Sequence, residues 1–260
     1  MTVNLTVSTA QTSAGDASGD TLANIQNLNG SAFADSLTGD SNANLLFGGD
    51  GDDTLIGGAG ADTLDGGSGN NTADYSASST GVSVDLTNAG AQTSAGDASG
   101  DVLVNIQNLV GSASADTLTG DDNANSLSGG AGNDSLVGGG GADTLIGGAG
   151  ADTLDGGTGV NTADYTASSA GVTVNLTLTT AQTSAGDASS DVLVNIQNVT
   201  GSSFADTLTG DGNDNFLAGG AGNDSLLGGA GDDTLAGGSG ADSLDGGSGD
   251  NTADYSTSSA

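Results

Sequence analysis

Single large apolar residues recur at a spacing of nine along most of the chain, each surrounded by polar residues and glycine. Residues 48–65, for example, read GGDGDDTLI and then GGAGADTLD. Positions one to six of each nonapeptide are rich in Gly and Asp, which predicts a turn. Positions seven to nine place one buried residue between two others, which predicts a very short strand. The pattern therefore predicts an all-β, right-handed coil whose strands stack into two parallel sheets.

A ladder of leucines between the two sheets is the core that this coil predicts. Each nonapeptide advances the coil by half a turn, so consecutive leucines are expected to alternate between the sheets. In the middle of the chain these residues are Leu118, Leu127, Leu136, Leu145 and Leu154.

A longer repeat divides the chain into three repeat segments, 1–80, 81–170 and 171–260, and it is marked by recurring sequence motifs. AQTSAGDASGD at 10–20 returns at 91–101 and, with one change, at 181–191. NTADY closes each segment at 71–75, 161–165 and 251–255, so the nonapeptides are expected to form rolls at about 30–75, 111–165 and 201–255. The first segment has one nonapeptide fewer, which can place its turns on the opposite side of the coil.

The stretches between the rolls, such as residues 81–112, do not follow the nine-residue pattern. VSVDL and VLVNIQNLV alternate apolar and polar residues as strands do, so these stretches are expected to continue the solenoid as longer β rungs. GDASGD at 15–20 and 96–101, and GDASSD at 186–191, are expected to project as acidic loops.

The charge of the chain has no internal balance. All 33 acidic residues are Asp, and Lys, Arg and His are absent, which gives a formal charge of −33. The counter-charge must come from outside the chain, and the same charge excludes binding to nucleic acid. No apolar run is long enough for direct membrane insertion. Without Cys and His, the usual ligands of zinc, copper and iron are missing, whereas oxygen ligands suit Ca²⁺ or Mg²⁺.

A divalent cation explains the Gly/Asp turns. Stacked strands lie about 4.8 Å apart, and two unit charges at that distance repel by roughly 3 kcal/mol at an effective dielectric constant of 20. A cation between the turns converts this repulsion into attraction, and glycine lets backbone carbonyls turn toward it. Carbonyl-rich turns with one carboxylate each fit the flexible coordination of Ca²⁺ better than the strict octahedron of Mg²⁺.

The nonapeptides resemble the RTX (repeats-in-toxin) repeat GGxGxDxUx, in which U is a large apolar residue. Eight of them, beginning with GGDGDDTLI at 48–56, carry all the consensus Gly and Asp positions. The resemblance implies a parallel β-roll in which several calcium ions per chain each lie between one turn and the next turn on the same side. The carboxylates that it assigns to the metal are Asp53, Asp62, Asp134, Asp143, Asp152, Asp224, Asp233 and Asp242. The glycines expected to add backbone oxygens are Gly48, Gly57, Gly66, Gly129, Gly138, Gly147, Gly156, Gly219, Gly228, Gly237 and Gly246.

Some turns depart from this repeat and are expected to be weaker, second-tier ligands. Asn replaces the sixth-position Asp in the last turn of each repeat segment, at Asn71, Asn161 and Asn251. Asn44, Asn125 and Asn215 do so in an earlier turn. The turns that carry Asp35, Asp116 and Asp206 lack two of the glycines, so they either bind metal weakly or start the roll.

Other chemistry has few candidates in this sequence. D-x-N-x-N at 121–125 lacks the Gly and Glu of an EF-hand loop and is interpreted as a variant roll turn. Tyr75, Tyr165 and Tyr255 are expected to close the end of the leucine ladder rather than bind carbohydrate. Asp, Ser, Thr and Tyr alone remain as catalytic groups, and repeated identical loops supply no cleft with two unlike carboxylates, so we predict that this segment is not an enzyme.

The leading hypothesis is a calcium-folded structural segment of a secreted bacterial surface or matrix protein, similar to an RTX adhesin. Such a protein would be exported unfolded by type I secretion and would fold outside the cell. Two alternatives stay open. The segment is the C-terminal tail of a secreted RTX exoenzyme, or it stacks head to tail as a subunit of an extracellular filament, since neither end shows a capping sequence.

Overall fold

Short parallel strands separated by turns make up nearly all the regular structure of the chain. The computed structural model describes residues 1–256, and these residues contain no α-helix. Most strands have three residues, with the middle side chain buried between two less buried neighbours, because the turns leave room for only one inward-facing residue. The strand pairs are parallel, which confirms the predicted fold class.

Twelve strands lie in the first half of the chain. They are β1 (Thr2–Asn4), β2 (Asn27–Asn29), β3 (Ser36–Thr38), β4 (Leu45–Asp50), β5 (Thr54–Ile56), β6 (Thr63–Ser68), β7 (Thr72–Asp74), β8 (Ser83–Asp85), β9 (Val102–Val104), β10 (Asn108–Val110), β11 (Thr117–Thr119) and β12 (Ser126–Ala131).

Thirteen strands follow. They are β13 (Ser135–Val137), β14 (Thr144–Ala149), β15 (Thr153–Asp155), β16 (Thr162–Asp164), β17 (Thr173–Asn175), β18 (Val192–Val194), β19 (Asn198–Thr200), β20 (Thr207–Thr209), β21 (Phe216–Ala221), β22 (Ser225–Leu227), β23 (Thr234–Ser239), β24 (Ser243–Asp245) and β25 (Thr252–Ala253). Short 3₁₀ turns occur at Gly96–Ala98 and Gly186–Ala188.

The chain forms two compact units. The first comprises residues 1–121 and 125–127, and the second comprises residues 122–124 together with the chain from Ser128 onward. The division of the sequence into three repeat segments describes how the chain repeats, and it stays a prediction about how the protein is organised.

In the first compact unit, successive nonapeptide strands alternate between two sheets. One sheet has the order β1-β3-β5-β7-β10, and the other has the order β2-β4-β6-β9. Leu37 and Leu55 pair in the first sheet, Leu46 and Leu64 pair in the second, and all four side chains are fully buried. The predicted alternating leucine ladder is therefore the core of this unit.

The second compact unit is built in the same way. One sheet has the order β14-β16-β19-β21-β23-β25, and the strands of the opposite side form the orders β13-β15-β18 and β17-β20-β22-β24. Leu145 lies in the first of these sheets, while Leu136 and Leu154 pair in the second. The alternation predicted for these leucines is confirmed.

The missing nonapeptide of the first repeat segment changes the side on which its first turn lies. With five nonapeptide strands, β3 and the closing strand β7 share a sheet. In the third repeat segment, which has six, β20 and the closing strand β25 belong to opposite sheets. An odd number of strands, and so an even number of half-turns, thus returns the chain to the side where it began.

The linkers, residues 81–112 and 171–202, continue the solenoid as longer rungs. In the first linker, β8 pairs forward with β11, whereas β9 and β10 return to pair with β6 and β7. The expectation that GDASGD projects as an acidic loop is wrong for its last residue in these linkers. Asp101 and Asp191 are completely buried, because they pack against the turns of Asp62 and Asp152 in the preceding rolls.

Candidate calcium-binding turns

The turn that contains Asp53 shows how one side chain connects stacked turns. Its Oδ1 atom accepts a hydrogen bond from the backbone N–H of Asp35, 18 residues earlier, at 2.8 Å. Its Oδ2 atom is buried and has no hydrogen-bond partner within residues 1–256. A buried carboxylate oxygen without a donor is costly, so this atom fits the ligand of a cation.

The space beside this oxygen is bounded by the backbone of the next turn. A Cβ atom placed on Gly48 would touch Asp53 Oδ2 and would lie 2.7 Å from the carbonyl oxygen of Gly66. Two oxygen atoms, one charged and one carbonyl, therefore face the same point above a residue that has no side chain. The following residue, Gly49, has φ of 112°, a conformation that glycine adopts at little cost.

Five carboxylates in this position share a buried Oδ2 atom without a hydrogen-bond partner in the described part of the chain. They are Asp53, Asp62, Asp152, Asp224 and Asp233. Their Oδ1 atoms each accept a backbone N–H from the preceding turn on the same side, at 2.8 to 2.9 Å. The geometry of one turn is thus repeated in both compact units.

The remaining predicted carboxylates occupy the same place in their turns. A Cβ atom on Gly129 or Gly138 would touch the Oδ2 atom of Asp134 or Asp143. Asp242 lies 2.5 Å from the corresponding point on Gly237, and its Oδ1 atom accepts the backbone N–H of Asp224 at 3.0 Å.

The predicted glycines contribute in two ways. Carbonyl oxygens that lie close to the glycine 18 residues earlier belong to Gly48, Gly57, Gly66, Gly147, Gly156, Gly219, Gly228, Gly237 and Gly246. Gly129 and Gly138 supply the bare Cα face against which the carboxylate lies. We propose that these oxygens and the carboxylates hold the calcium ions.

The electrostatics of the turns favour binding of a positive charge. Burial raises the pKa of Asp62 to about 6, and it also raises the pKa of Asp53, Asp152 and Asp224. In residues 1–256 no group of three or more acidic side chains converges as a metal site. A metal in these turns would therefore be held largely by backbone carbonyl oxygens, with one carboxylate from each turn. Such hard oxygen donors fit Ca²⁺, which when bound supplies the charge that joins the turns.

The turns of Asp35, Asp116 and Asp206 satisfy their carboxylates with protein donors. In the last of these, Oδ1 accepts the backbone N–H of Val172 at 2.6 Å, and Oδ2 accepts the backbone N–H of Ser202 at 2.6 Å. Ser112 plays the corresponding part for Asp116. These contacts support the alternative in which such turns start a roll, since Ser replaces the second glycine and brings donors to the carboxylate.

Asp35 shows the electrostatic effect of these donors. Burial acts to raise its pKa, but hydrogen bonds from the N-terminal ammonium group and from Ser31 outweigh burial and lower it. Asp53, without donors to Oδ2, has a raised pKa instead.

The turns with Asn at the sixth position are stacked like the others, but they present an amide group instead of a carboxylate. The Oδ1 atoms of Asn71, Asn161 and Asn251 accept the backbone N–H of Asp53, Asp143 and Asp233 at 2.9 to 3.0 Å. The Nδ2 atom of Asn44 donates to the carbonyl of Gln26, and Asn215 donates likewise to Gln197. A weak-ligand role for Asn71, Asn161 and Asn251 stays a prediction.

Two buried carboxylates at the linkers were not among the predicted site residues. Asp101 Oδ1 accepts the backbone N–H of Asp62 at 2.8 Å, and its Oδ2 accepts the hydroxyl of Tyr75 at 3.1 Å. Asp191 makes the same pair of bonds with Asp152 and Tyr165. Burial raises the pKa of both linker carboxyls to about 7.

The tyrosine hydroxyls donate to the Oδ2 atoms, so these two carboxylates are satisfied by protein donors and are not candidate metal sites. The sequence signal was the repeated pairing of NTADY with GDASGD or GDASSD. Tyr75 and Tyr165 are buried as predicted, whereas Tyr255 is 66% exposed.

Stacked Gly/Asp turns with short parallel strands define a β-roll with candidate metal sites between its turns. The family model of the RTX calcium-binding nonapeptide repeat (four copies) matches residues 24–54, 38–73, 106–136, 128–163, 197–226 and 219–253. These matches cover more than half of the chain, which belongs to the RTX calcium-binding nonapeptide repeat family and binds several Ca²⁺ ions. A comparison with curated proteins finds no match.

Members of this family are structural calcium-binding repeats and typically belong to secreted proteins. Within residues 1–256, no helix has the length and apolar character needed to cross a membrane.

Proposed function

We propose that the chain is a calcium-folded structural segment of a secreted bacterial surface or matrix protein of the adhesin type. The observation that carries this proposal is the repeated meeting of a buried, unpartnered Asp Oδ2 atom with a glycine carbonyl oxygen of the next turn. Without a cation these oxygens repel each other, and with Ca²⁺ they join adjacent turns. Folding and calcium binding are therefore coupled.

Calcium coupling places the folding transition outside the cell. Extracellular calcium modules bind with Kd of about 10⁻⁴–10⁻³ M, far above calcium concentrations inside cells. A chain with 33 uncompensated carboxylates repels itself in that low-calcium environment and stays unfolded. This behaviour suits export of an unfolded chain followed by folding at the surface, as in type I secretion.

Circular dichroism tests the coupling directly. The chain is placed in chelator and titrated with Ca²⁺, and a second sample is titrated with Mg²⁺. We expect a cooperative change from coil to β-structure with Ca²⁺ alone. Full β-structure in chelator would mean that the leucine ladder carries the fold, and it would overturn the proposal.

The adhesin role is separated from the two alternatives by different observations. Many further copies of the repeat in the full-length protein would support an adhesin, whereas a catalytic domain outside the repeats would support an exoenzyme tail. Filament formation predicts large assemblies in millimolar calcium, measured by light scattering, and monomers there would exclude it. We propose no catalytic role for this segment, since its Asp side chains serve the turns.

A further inference from the structure

The junction between roll and linker has the backbone arrangement of a calcium turn but a different side chain. At Gly48, a hypothetical Cβ atom would meet the Oδ2 atom of Asp53 and the carbonyl oxygen of Gly66. At Gly66, it would meet the Nδ2 atom of Asn71 and the carbonyl oxygen of Asn105. An amide N–H group thus stands at the junction where a bare carboxylate oxygen stands one turn earlier.

Every polar group of Asn71 has a partner. Its Nδ2 atom donates to the carbonyl of Asn105 at 3.1 Å, and its Oδ1 atom accepts the backbone N–H of Asp53 at 3.0 Å. Its backbone N–H donates to Gln107 Oε1 at 2.8 Å, and its carbonyl accepts the backbone N–H groups of Gln107 and Asn108 at 3.0 and 2.9 Å. The side chain is completely buried, so a satisfied amide there has no need of a metal.

The second linker repeats this arrangement. Asn161 donates from Nδ2 to the carbonyl of Asn195 at 3.2 Å, and its backbone N–H donates to Gln197 Oε1 at 2.8 Å. Asn161 is also completely buried. The same bonds form in both compact units, each with a linker of its own.

The linker backbone is shaped to receive this amide. Asn105 and Asn195 both have φ of 53°, in the left-handed region that few residues other than glycine adopt. Their side chains also donate to Asp65 and Asp155 at 2.8 and 2.7 Å, which holds these residues in place. The NIQN motif of the linker therefore supplies both the carbonyl and the Gln side chain that complete the junction.

We propose that Asn71 and Asn161 determine that these two junctions close without calcium, the amide group replacing the cation that the Asp turns need. The proposal deepens the calcium-coupled folding proposed above and rests on it. Asp at the sixth position specifies a metal-bridged contact with the next turn, and Asn followed by a linker specifies a metal-free one.

Counting bound calcium per chain tests this assignment. Wild type and variants are dialysed to equilibrium in saturating calcium, and the metal is measured by elemental analysis. The double variant Asn71→Asp with Asn161→Asp is expected to bind two more ions than wild type, because each new Oδ2 atom would oppose a linker carbonyl. The control, Asn70→Asp with Val160→Asp, adds the same charge at exposed neighbouring positions and is expected to leave the count unchanged.

The reciprocal variant Asp53→Asn guards against a double variant that fails to fold. It is expected to lose one bound ion and to remain folded, since its amide would donate to the Gly66 carbonyl. Asp52→Asn, which removes an exposed neighbouring charge, serves as the control. An unchanged count in both Asn71→Asp with Asn161→Asp and Asp53→Asn would overturn the assignment, whereas absence of calcium from the wild type would overturn the proposed function instead.

Discussion

The side chains of Asp53 and Asn71 differ in one terminal atom, which is oxygen in the first and nitrogen in the second. The contact that this atom makes with a neighbouring carbonyl therefore differs between the turn and the junction. In both, a side-chain oxygen accepts a backbone N–H from the preceding turn. The second terminal atom faces a carbonyl, and it is an unpartnered oxygen in Asp53 but a donating nitrogen in Asn71. Under the proposed calcium coupling, the Asp turns depend on calcium and lose stability without it, whereas the Asn junctions do not.

Removal of calcium is the largest perturbation that this comparison predicts. Chelation should unfold the rolls cooperatively, because several buried carboxylates per chain lose their counter-charge together. The far-UV circular dichroism signal of β-structure is the measurement. Loss of the signal in gradual steps, without cooperativity, would show that the turns bind independently of one another.

A rise in pH in chelator should also destabilise the folded chain, but by less than the removal of calcium does. The folded-state pKa values of Asp62, Asp101 and Asp191 are raised by burial from 3.8 to about 6, 7 and 7. The folded chain therefore holds more protons than the unfolded chain between about pH 4 and pH 7, so its stability falls as pH rises through that window.

The measurement is a pair of circular dichroism spectra in chelator at pH 5 and pH 8. More β-structure is expected at pH 5. A less ordered chain at pH 5 would contradict the assignment of these carboxyls as buried and uncompensated. Asp35, whose pKa is lowered despite burial, works in the opposite direction and only below about pH 4.

A methyl group added to the glycine beside a candidate calcium site should remove that one site. In Gly48→Ala the new methyl group would lie between Asp53 Oδ2 and the Gly66 carbonyl, where it excludes a cation. We expect one fewer calcium ion per chain and a loss of about 1–3 kcal/mol in unfolding free energy, as for other overpacked sites. Calorimetric titration gives the ion count.

Gly212→Ala is the matched control, because a Cβ atom at Gly212 would have no neighbour within 4 Å. Equal calcium counts for the two alanine variants would show that the space beside Gly48 is not a metal site.

The last of these predictions, which involves no loss of a calcium ion, concerns the tyrosine that donates to Asp101. Tyr75→Phe removes the hydroxyl that donates to Asp101 Oδ2, which leaves a buried carboxylate oxygen unsatisfied. Thermal unfolding in saturating calcium should show a loss of about 1–3 kcal/mol. Tyr255→Phe, at an exposed position, should leave the unfolding midpoint unchanged, and similar losses in both variants would contradict a specific role for the hydroxyl.

The sequence was sufficient to predict the repeating part of the fold, since Leu37, Leu46 and Leu55 follow the nine-residue phase and alternate between sheets as expected. The position of Asp53 in its turn followed from the same phase. The linkers were less predictable because their contacts join residues 26 to 40 positions apart and have no fixed period. Burial of Asp101 was missed for this reason.

The direction of the Asn side chains also could not be predicted. Asn44 donates to the preceding turn and Asn71 to the following one, although both occupy the sixth position of a nonapeptide. Each amide points to the NIQN stretch beside its turn, which precedes Asn44 in the chain and follows Asn71.

The ladder of Oδ1 contacts gives the solenoid a polarity along its axis. Each Asp reaches back to an N–H of a turn made earlier in the chain, as Asp53 does to Asp35 and Asp233 does to Asn215. A roll that orders from its amino-terminal end therefore grows from a tip of neutral amide donors, and each new turn brings its own acceptor. A roll that orders from its carboxyl-terminal end would instead begin from carboxylate oxygens that have no N–H donor yet. The two directions of assembly are thus chemically unequal.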